Sequence, residues 1–327
     1  MKKQDKGMKR LGIPGLSDDK ADTAQRARLR RKGRVSLVFF TAAALGLLAS
    51  CATEGSQSMD HSESVRYWSQ GVEAAGMKAM TVSDEQLANQ ELPVREDPKL
   101  VILMYHNLVY GRTGGEYNRD IYNFEHDLVF IRKHFEIIDF NQLLAIQRGE
   151  LELKHDAAII TFDDGDLSMY GIAYPLLRQY DIKASFFIIS GSVGEVGYMN
   201  WAQIREMAAY RNKDGESLFT MGSHGVNHLA MGEVDEKTLI AEFSDSKQII
   251  EEQIGIPVEI FALPYGSGAG RPDIEKMALE TGYKALRSSD RSAPLVSALK
   301  NYRLPGIYID NASTDKAMAA VWKIAGR

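Results

Sequence analysis

Sulfur chemistry is nearly absent from this chain, which has one cysteine, Cys51, in 327 residues. A lone thiol closes no internal disulfide, so a covalently stapled fold is excluded. Gly-x-Ser-x-Gly occurs nowhere, which removes the nucleophile elbow a serine esterase would use. No segment repeats at a solenoid period, and no histidine follows His228. The longest apolar stretch, residues 35–50, runs to sixteen residues, too short for a comfortable membrane span. The remaining composition, 44% hydrophobic and 25% charged, is that of a globular protein able to bury a core without staples.

That sixteen-residue stretch, "VSLVFFTAAALGLLAS", follows the basic "RARLRRKGR" of residues 26–34, the order of an export signal. Leu48-Ala49-Ser50-Cys51 resembles the bacterial lipobox, which implies cleavage before Cys51 and lipid on its sulfur. The expected organisation is therefore a signal peptide over 1–50, a lipidated cysteine and polar tether over 51–98, and a folded domain over 99–327. Ala52 after the cysteine lacks the aspartate that retains lipoproteins at an inner membrane, so the expected location is the bacterial cell envelope, at an outer membrane where there is one. Removing residues 1–50 leaves 27 basic against 40 acidic residues, a net charge near −13, which argues against a nucleic-acid partner.

From Lys99 onward short apolar runs alternate with amphipathic ones. "LVILMY" (100–105), "EIIDF" (136–140), "AAIITF" (157–162), "ASFFII" (184–189), "LFTMG" (218–222), "EIFAL" (259–263) and "RLPGIYI" (303–309) read as strands. In "DEKTLIAEFSDSKQIIEEQIG" Leu239, Ile240, Phe243, Ile249, Ile250 and Ile254 recur near helical spacing, and Gly255 can close the helix. This alternation predicts an α/β fold, a distorted (β/α) barrel of about seven parallel strands.

In such barrels chemistry gathers where strands run into loops, and "TFDDG" puts Asp163 and Asp164 at one such end. Adjacent aspartates also serve as turn and helix caps, so the pair decides nothing alone. At another strand end "SHGVNH" carries His224 and His228 four apart, close enough to converge on one ion. Two imidazoles and a carboxylate make the protein half of an open divalent-metal site. A zincin is excluded, because Gly225 occupies the place of its glutamate.

With these residues in view, 99–310 resembles the NodB-like polysaccharide deacetylases of carbohydrate esterase family four. "TFDDG" is similar to their first motif, "SHGVNH" to the second and "FALPYG" (261–266) to the third. The resemblance implies that Asp164, His224 and His228 hold the metal, zinc or else cobalt or nickel. It makes Asp163 the general base and gives the main-chain N–H of Tyr265 to the oxyanion. Three departures stand out. Gly225 replaces the usual Ser or Thr, Ala262 stands where many members place an arginine that orients the base, and "NYRLPGIYID" lacks the Leu-x-His of the general acid. "VILMYHNLVYG" resembles the "MYH" element of permuted deacetylases acting on poly-N-acetylglucosamine, which makes His106 the candidate acid. A histidine after an apolar strand also commonly just satisfies a backbone carbonyl.

The expected activity is thus metal-dependent N-deacetylation of an N-acetylated sugar polymer, poly-N-acetylglucosamine first and peptidoglycan second. A non-catalytic polysaccharide-binding lipoprotein is the contrasting reading, motivated by Gly225 and Ala262. The segment "YGRTGGEYN" after His106 is placed to cover the site, Tyr198 and Trp201 are candidates for stacking on a sugar, and core packing is the competing role for Trp201. His126, His134 and His155 read as solvated or capping groups, and "GSGAG" (266–270) as the continuation of the "PYG" loop rather than a nucleotide loop.

Overall fold

The computed structural model describes residues 82–88, 90–111 and 115–327. The signal peptide, Cys51 and most of the tether lie outside the described residues. Of the tether, Val82 and Leu87 are buried, a single turn α1 (Asp84–Leu87) is capped by Ser83, and Arg95 pairs with Asp156. The stretch from 82 to 98 therefore packs on the domain instead of hanging free. No helix among the described residues is long and apolar enough to cross a membrane.

The strands are β1 (Leu100–Tyr105), β2 (Asn107–Val109), β3 (Asn118–Asp120), β4 (Glu136–Ile137), β5 (Ala157–Phe162), β6 (Ala184–Ile188), β7 (Phe219–Ser223), β8 (Ile260–Ala262), β9 (Ala285–Arg287) and β10 (Ile307–Tyr308). Eight form one parallel sheet in the order β10-β1-β5-β6-β7-β8-β9, and β4 takes the first residues of the β5 edge that β6 continues. β2 and β3 pair separately. The sheet curls until its ends nearly meet. Leu304 bridges Arg287 of β9, and three residues later Ile307 pairs with Leu103 of β1. Seven strands along this path fit the distorted (β/α) barrel read from the sequence.

Helices α2 (Ile121–His134), α3 (Phe140–Gln147), α4 (Tyr174–Gln179), α5 (Trp201–Ala209), α6 (Glu236–Ile254), α7 (Pro272–Thr281) and α8 (Thr314–Ile324) fill the crossovers. Their ends follow local chemistry. Asp139 and Gln142 form a capping box that starts α3 at Phe140, so the predicted "EIIDF" strand stops at Ile137. Gly255, at φ 73°, ends α6 in the left-handed conformation. Leu239, Phe243 and Ile250 of α6 are buried, whereas Ile240 is exposed.

Two apolar clusters divide the strands by parity. Val101, Leu103, Ala158, Ile160, Met221 and Phe261 join the larger one with the helices. Leu100, Ile102, Ala157, Ile159, Phe187, Ile260, Ala262 and Ala285 meet in the smaller one on the concave side, floored by Phe140 and Leu143 of α3. Because side chains alternate at period two, this parity fixes what comes next at the strand ends.

Candidate active site and metal centre

Continuing the inward parity by one step puts His106 after β1, Asp163 after β5, His224 after β7, Arg287 at the end of β9 and Tyr308 on β10 over the same apolar plug. All five line one cleft of about 510 Å³, together with Asp164, His228 and Tyr265. A larger groove, about 730 Å³ and lined by Val94, Arg132 and His155 among others, contains none of these groups. The smaller cleft carries the chemistry.

Asp164, His224 and His228 are brought together as their types suggested. Asp164 Oδ1 lies 3.3 Å from His228 Nε2 and 3.5 Å from His224 Nε2, and the two Nε2 atoms are 3.2 Å apart. A tetrahedral zinc ion about 2.0–2.1 Å from each ligand needs ligand–ligand spacings of about 3.3 Å, so this triangle has the right size. The donor chemistry fits as well. His224 Nδ1 donates to the Ala262 carbonyl at 2.8 Å, which turns the lone pair of Nε2 inward. Burial pushes the His224 imidazole down to about 3 and lowers His228 as well. Asp164 Oδ1 is buried with no hydrogen-bond partner. Three electron-rich atoms facing one another call for a cation, and among the described residues no other cluster of three such ligands has this spacing.

Asp163, next in the chain, sits in a different field. It is 2% exposed, and both its oxygens accept from Arg287 Nη2. Burial acts to raise its carboxyl, but Arg287, His224 and His106 outweigh that and hold it below the ordinary range. Asp164 goes the other way, raised to about 6 by burial and by the charge of Asp163. Adjacent acids with opposed environments are suited to different roles. Arg287 also supplies what Ala262 lacks. The orienting cation comes from β9, a three-residue strand absent from the predicted set, and its guanidinium lies 5.1 Å above the Phe187 ring.

Backbone conformation marks the same place. Of four non-glycine residues with positive φ among those described, three are Asp164 (82°), His228 (55°) and Tyr265 (58°). Such conformations are costly and persist where surrounding structure enforces them. Tyr265 lies in the turn Pro264–Gly266, which runs on into the "GSGAG" loop as read, and its ring stands 4.6 Å from that of His228. Gly225 is itself at φ 84°, and a Cβ there would meet Glu242 Oε2 at 2.6 Å. The serine or threonine usual at this position would be strained by that φ and would displace the Glu242 carboxylate.

His106 faces the cleft between Tyr117 and Tyr308, with ring centroids 4.9 and 5.5 Å away. Its Nδ1 is buried and has no hydrogen-bond partner, so it is not spent on a backbone carbonyl. Tyr117, at the end of the segment read as a cover, lines the cleft. Trp201 packs against the core, and Tyr198 bridges Asp166 outside the cleft lining. His126 bonds the Tyr122 carbonyl, His155 that of Pro93, and His134 stacks near Trp322.

Residues 151–286 match the family model described as polysaccharide deacetylase. That span holds Asp163, Asp164, His224, His228 and Tyr265, and leaves out His106 and Arg287. Among curated proteins the chain is 27% identical over 194 residues to YxkH of Bacillus subtilis (strain 168), provisionally named a polysaccharide deacetylase, covering 57% of this chain and 63% of that one. It is 30% identical over 133 residues to the poly-beta-1,6-N-acetyl-D-glucosamine N-deacetylase of Staphylococcus aureus, covering 38% and 46%. The chain thus spans less than two thirds of either relative. In fold it is similar to the Streptococcus pyogenes deacetylase PplD, solved in complex with acetate, with TM-score 0.59 at 22% identity over 69% of this chain and 99% of that one. It is also similar to IcaB from Ammonifex degensii, with TM-score 0.53 at 23% identity over 71% and 99%.

Proposed function

From the match of residues 151–286 to the polysaccharide deacetylase model we propose that this chain is a metal-dependent N-deacetylase of poly-N-acetylglucosamine, releasing acetate and leaving free amino sugars. The observation that carries the proposal is the Asp164–His224–His228 triangle with Asp163 and Arg287 beside it. A divalent cation held by those three side chains would acidify a water and polarise an acetamide oxygen.

Everything else falls to this chain's own groups. Asp163, fixed by Arg287, accepts the proton of the attacking water as its oxygen bonds to the acetyl carbon. Its low proton affinity keeps it ionised at neutral pH and ready to accept. The N–H of Tyr265 donates to the oxyanion as it develops, and the strained turn fixes where that donor points. His106 gives a proton to the amine nitrogen as the C–N bond breaks, so a neutral amine departs. The proton gained by Asp163 returns to His106 through solvent. Apolar neighbours such as Met104 and Leu263 exclude bulk water from the cleft.

Gly225 and Ala262, the two departures that motivated a non-catalytic reading, lose their force. Arg287 stands where the missing arginine would act, and Glu242 occupies the space a larger residue at 225 would need. The lipid anchor at Cys51 and the envelope location belong to the same proposal and rest on the sequence of residues 26–51. Mass spectrometry of the membrane-extracted chain should find diacylglycerol on Cys51, and an unmodified, uncleaved protein would remove the anchor.

Acetate release from defined N-acetylglucosamine oligomers and from peptidoglycan, each with and without chelator, tests the activity. Chelator-sensitive release from the oligomers is expected. Release from peptidoglycan alone would reassign the polymer, and no release from either substrate in metal-replete protein would end the catalytic reading.

A further inference from the structure

Glu242 lies on α6, outside the cleft and 2% exposed, yet its carboxylate is aimed at the loop between the two histidines. Oε2 accepts from two successive backbone amides, Val226 N at 2.8 Å and Asn227 N at 3.0 Å, while Oε1 accepts from Asn227 Nδ2 at 2.6 Å. Successive amides converging on one oxygen form a nest for an anion, here filled by a side chain of the same protein. The strand before the loop is tied to the same helix turn. Gly225 N donates to Ser223 Oγ at 3.2 Å, Ser223 Oγ to Ser246 Oγ at 2.7 Å, and Ser246 Oγ to the Glu242 carbonyl at 2.5 Å. His224 and His228 are the two ends of the segment held in this way.

We propose that Glu242 is a positioning residue for the metal centre, fixing His228 relative to His224 by clamping residues 225–227, and that Gly225 is glycine because the clamp fills its Cβ space. The inference rests on the metal reading of the Asp164–His224–His228 triangle. His228 adopts φ 55°, a conformation its own sequence does not favour. It is held from outside on two sides, by the carboxylate on the amides of the two preceding residues and by the amides of Ser190 and Gly191, which donate to the Gly225 and Val226 carbonyls at 3.0 Å; the carboxylate is the side-chain part of that hold.

An apolar side chain cannot replace this carboxylate. Both oxygens receive N–H donors, and Glu242→Leu leaves all three without an acceptor at similar side-chain size, whereas Glu242→Gln would keep its oxygen on the backbone amides and its NH₂ on a flipped Asn227 amide. In Glu242→Leu the clamp opens while size is nearly kept. Loss of partners that hold metal ligands typically weakens binding by about 10- to 100-fold.

The test is zinc affinity by competition with a chromophoric chelator, on the folded chain stripped of metal. The parent should bind one equivalent, and Glu242→Leu should bind about 10- to 100-fold more weakly. Asn227→Ala, which removes only the side-chain bond, should lose a smaller factor and covers the case in which the leucine variant does not fold. Cobalt(II) absorption gives a second readout, since a displaced His228 alters the ligand field whereas looser packing of α6 elsewhere does not. Parental affinity and parental cobalt spectra in Glu242→Leu, or in Asn227→Ala where only that variant folds, would overturn the proposal while leaving the metal site intact. A parent chain that binds no zinc would end the metal reading and this inference together.

Discussion

On one side of the cleft His224 is locked by a hydrogen bond to the Ala262 carbonyl and the 225–228 loop by three bonds to Glu242. Across from it His106 has ring neighbours, Tyr117 and Tyr308, and a buried Nδ1 without a partner. A group that must hold a fixed ion benefits from directional restraint, because misplacing one ligand by a fraction of an ångström breaks the coordination. A group that must pick up and release a proton benefits from a nitrogen left uncommitted. On the proposed function, the difference between polar clamp and aromatic packing thus separates binding from proton transfer within one site.

The sharpest break of that comparison is on the clamped side. His224→Ala and His228→Ala should each lose most bound metal and take activity to background, since two remaining donors hold a divalent ion poorly. Asp163→Asn should keep the metal and still lose about 10²- to 10⁴-fold in rate, because an amide does not accept the proton. Metal analysis beside acetate release distinguishes them, and metal loss in Asp163→Asn with retention in Asp164→Asn would exchange the roles of the two acids.

On the packed side, His106→Ala should leave metal content unchanged and slow amide cleavage by about 10²- to 10⁴-fold. The defect should shrink on an acetyl ester, whose alkoxide needs less protonation than an amine. A fully active variant would show that the proton donor is another group.

Arg287 joins the two sides, and its effect is read through pH. Asp163 is depressed in the folded protein, so its pairing contributes stability that is fully present above the ordinary carboxylate range and lost as pH falls through the depressed value. Arg287→Lys keeps the charge but not the paired N–H donors. It should weaken the hold on Asp163, let burial raise that carboxyl, and move the acid limb of the rate–pH profile to higher pH, with about a tenfold loss at the optimum if one charge-assisted bond is lost. Arg287→Met, leaving a buried carboxylate unpaired, should cost about 3–5 kcal/mol of stability at neutral pH. An unshifted acid limb in Arg287→Lys would mean that a different group sets it.

How much of this was legible without coordinates follows the range of each interaction. Asp163, Asp164, His224 and His228 sit in short motifs at the ends of apolar runs, so local pattern singled them out as candidates, whereas Tyr265 and His106 were singled out by resemblance to family motifs. Arg287 was missed because β9 is three residues long and its partner lies 124 positions away. Ala285 buried on the concave face was the available signal, since one period-two step from it reaches Arg287. Glu242 was hidden in an amphipathic helix, where a glutamate beside Phe243 reads as solvated charge. The strand ends were misjudged at "EIIDF" and "RLPGIYI" for a related reason, because an apolar run marks burial but not where pairing stops, and Asp139 converts the first into a helix start.

The smallest expected effect tests whether packing is all that holds His106. Tyr117 is 51% exposed, and its ring meets those of His106 and Tyr308 at 4.9 and 5.4 Å. Edge-to-face and tilted ring contacts of this kind contribute about 0.5–1.5 kcal/mol each. If Tyr117 only steadies the imidazole, Tyr117→Ala should slow amide cleavage by about 2- to 12-fold, the rate equivalent of one such contact. Tyr117→Phe, which keeps the ring and drops the hydroxyl, should then behave as the parent. KM should move little in either variant, since a support for a catalytic group acts on turnover. A large rise in KM for both would instead make Tyr117 a surface on which the sugar ring lies. A loss in Tyr117→Phe as deep as in Tyr117→Ala would assign the effect to the hydroxyl, and the packed side of the cleft would then depend on a polar contact after all.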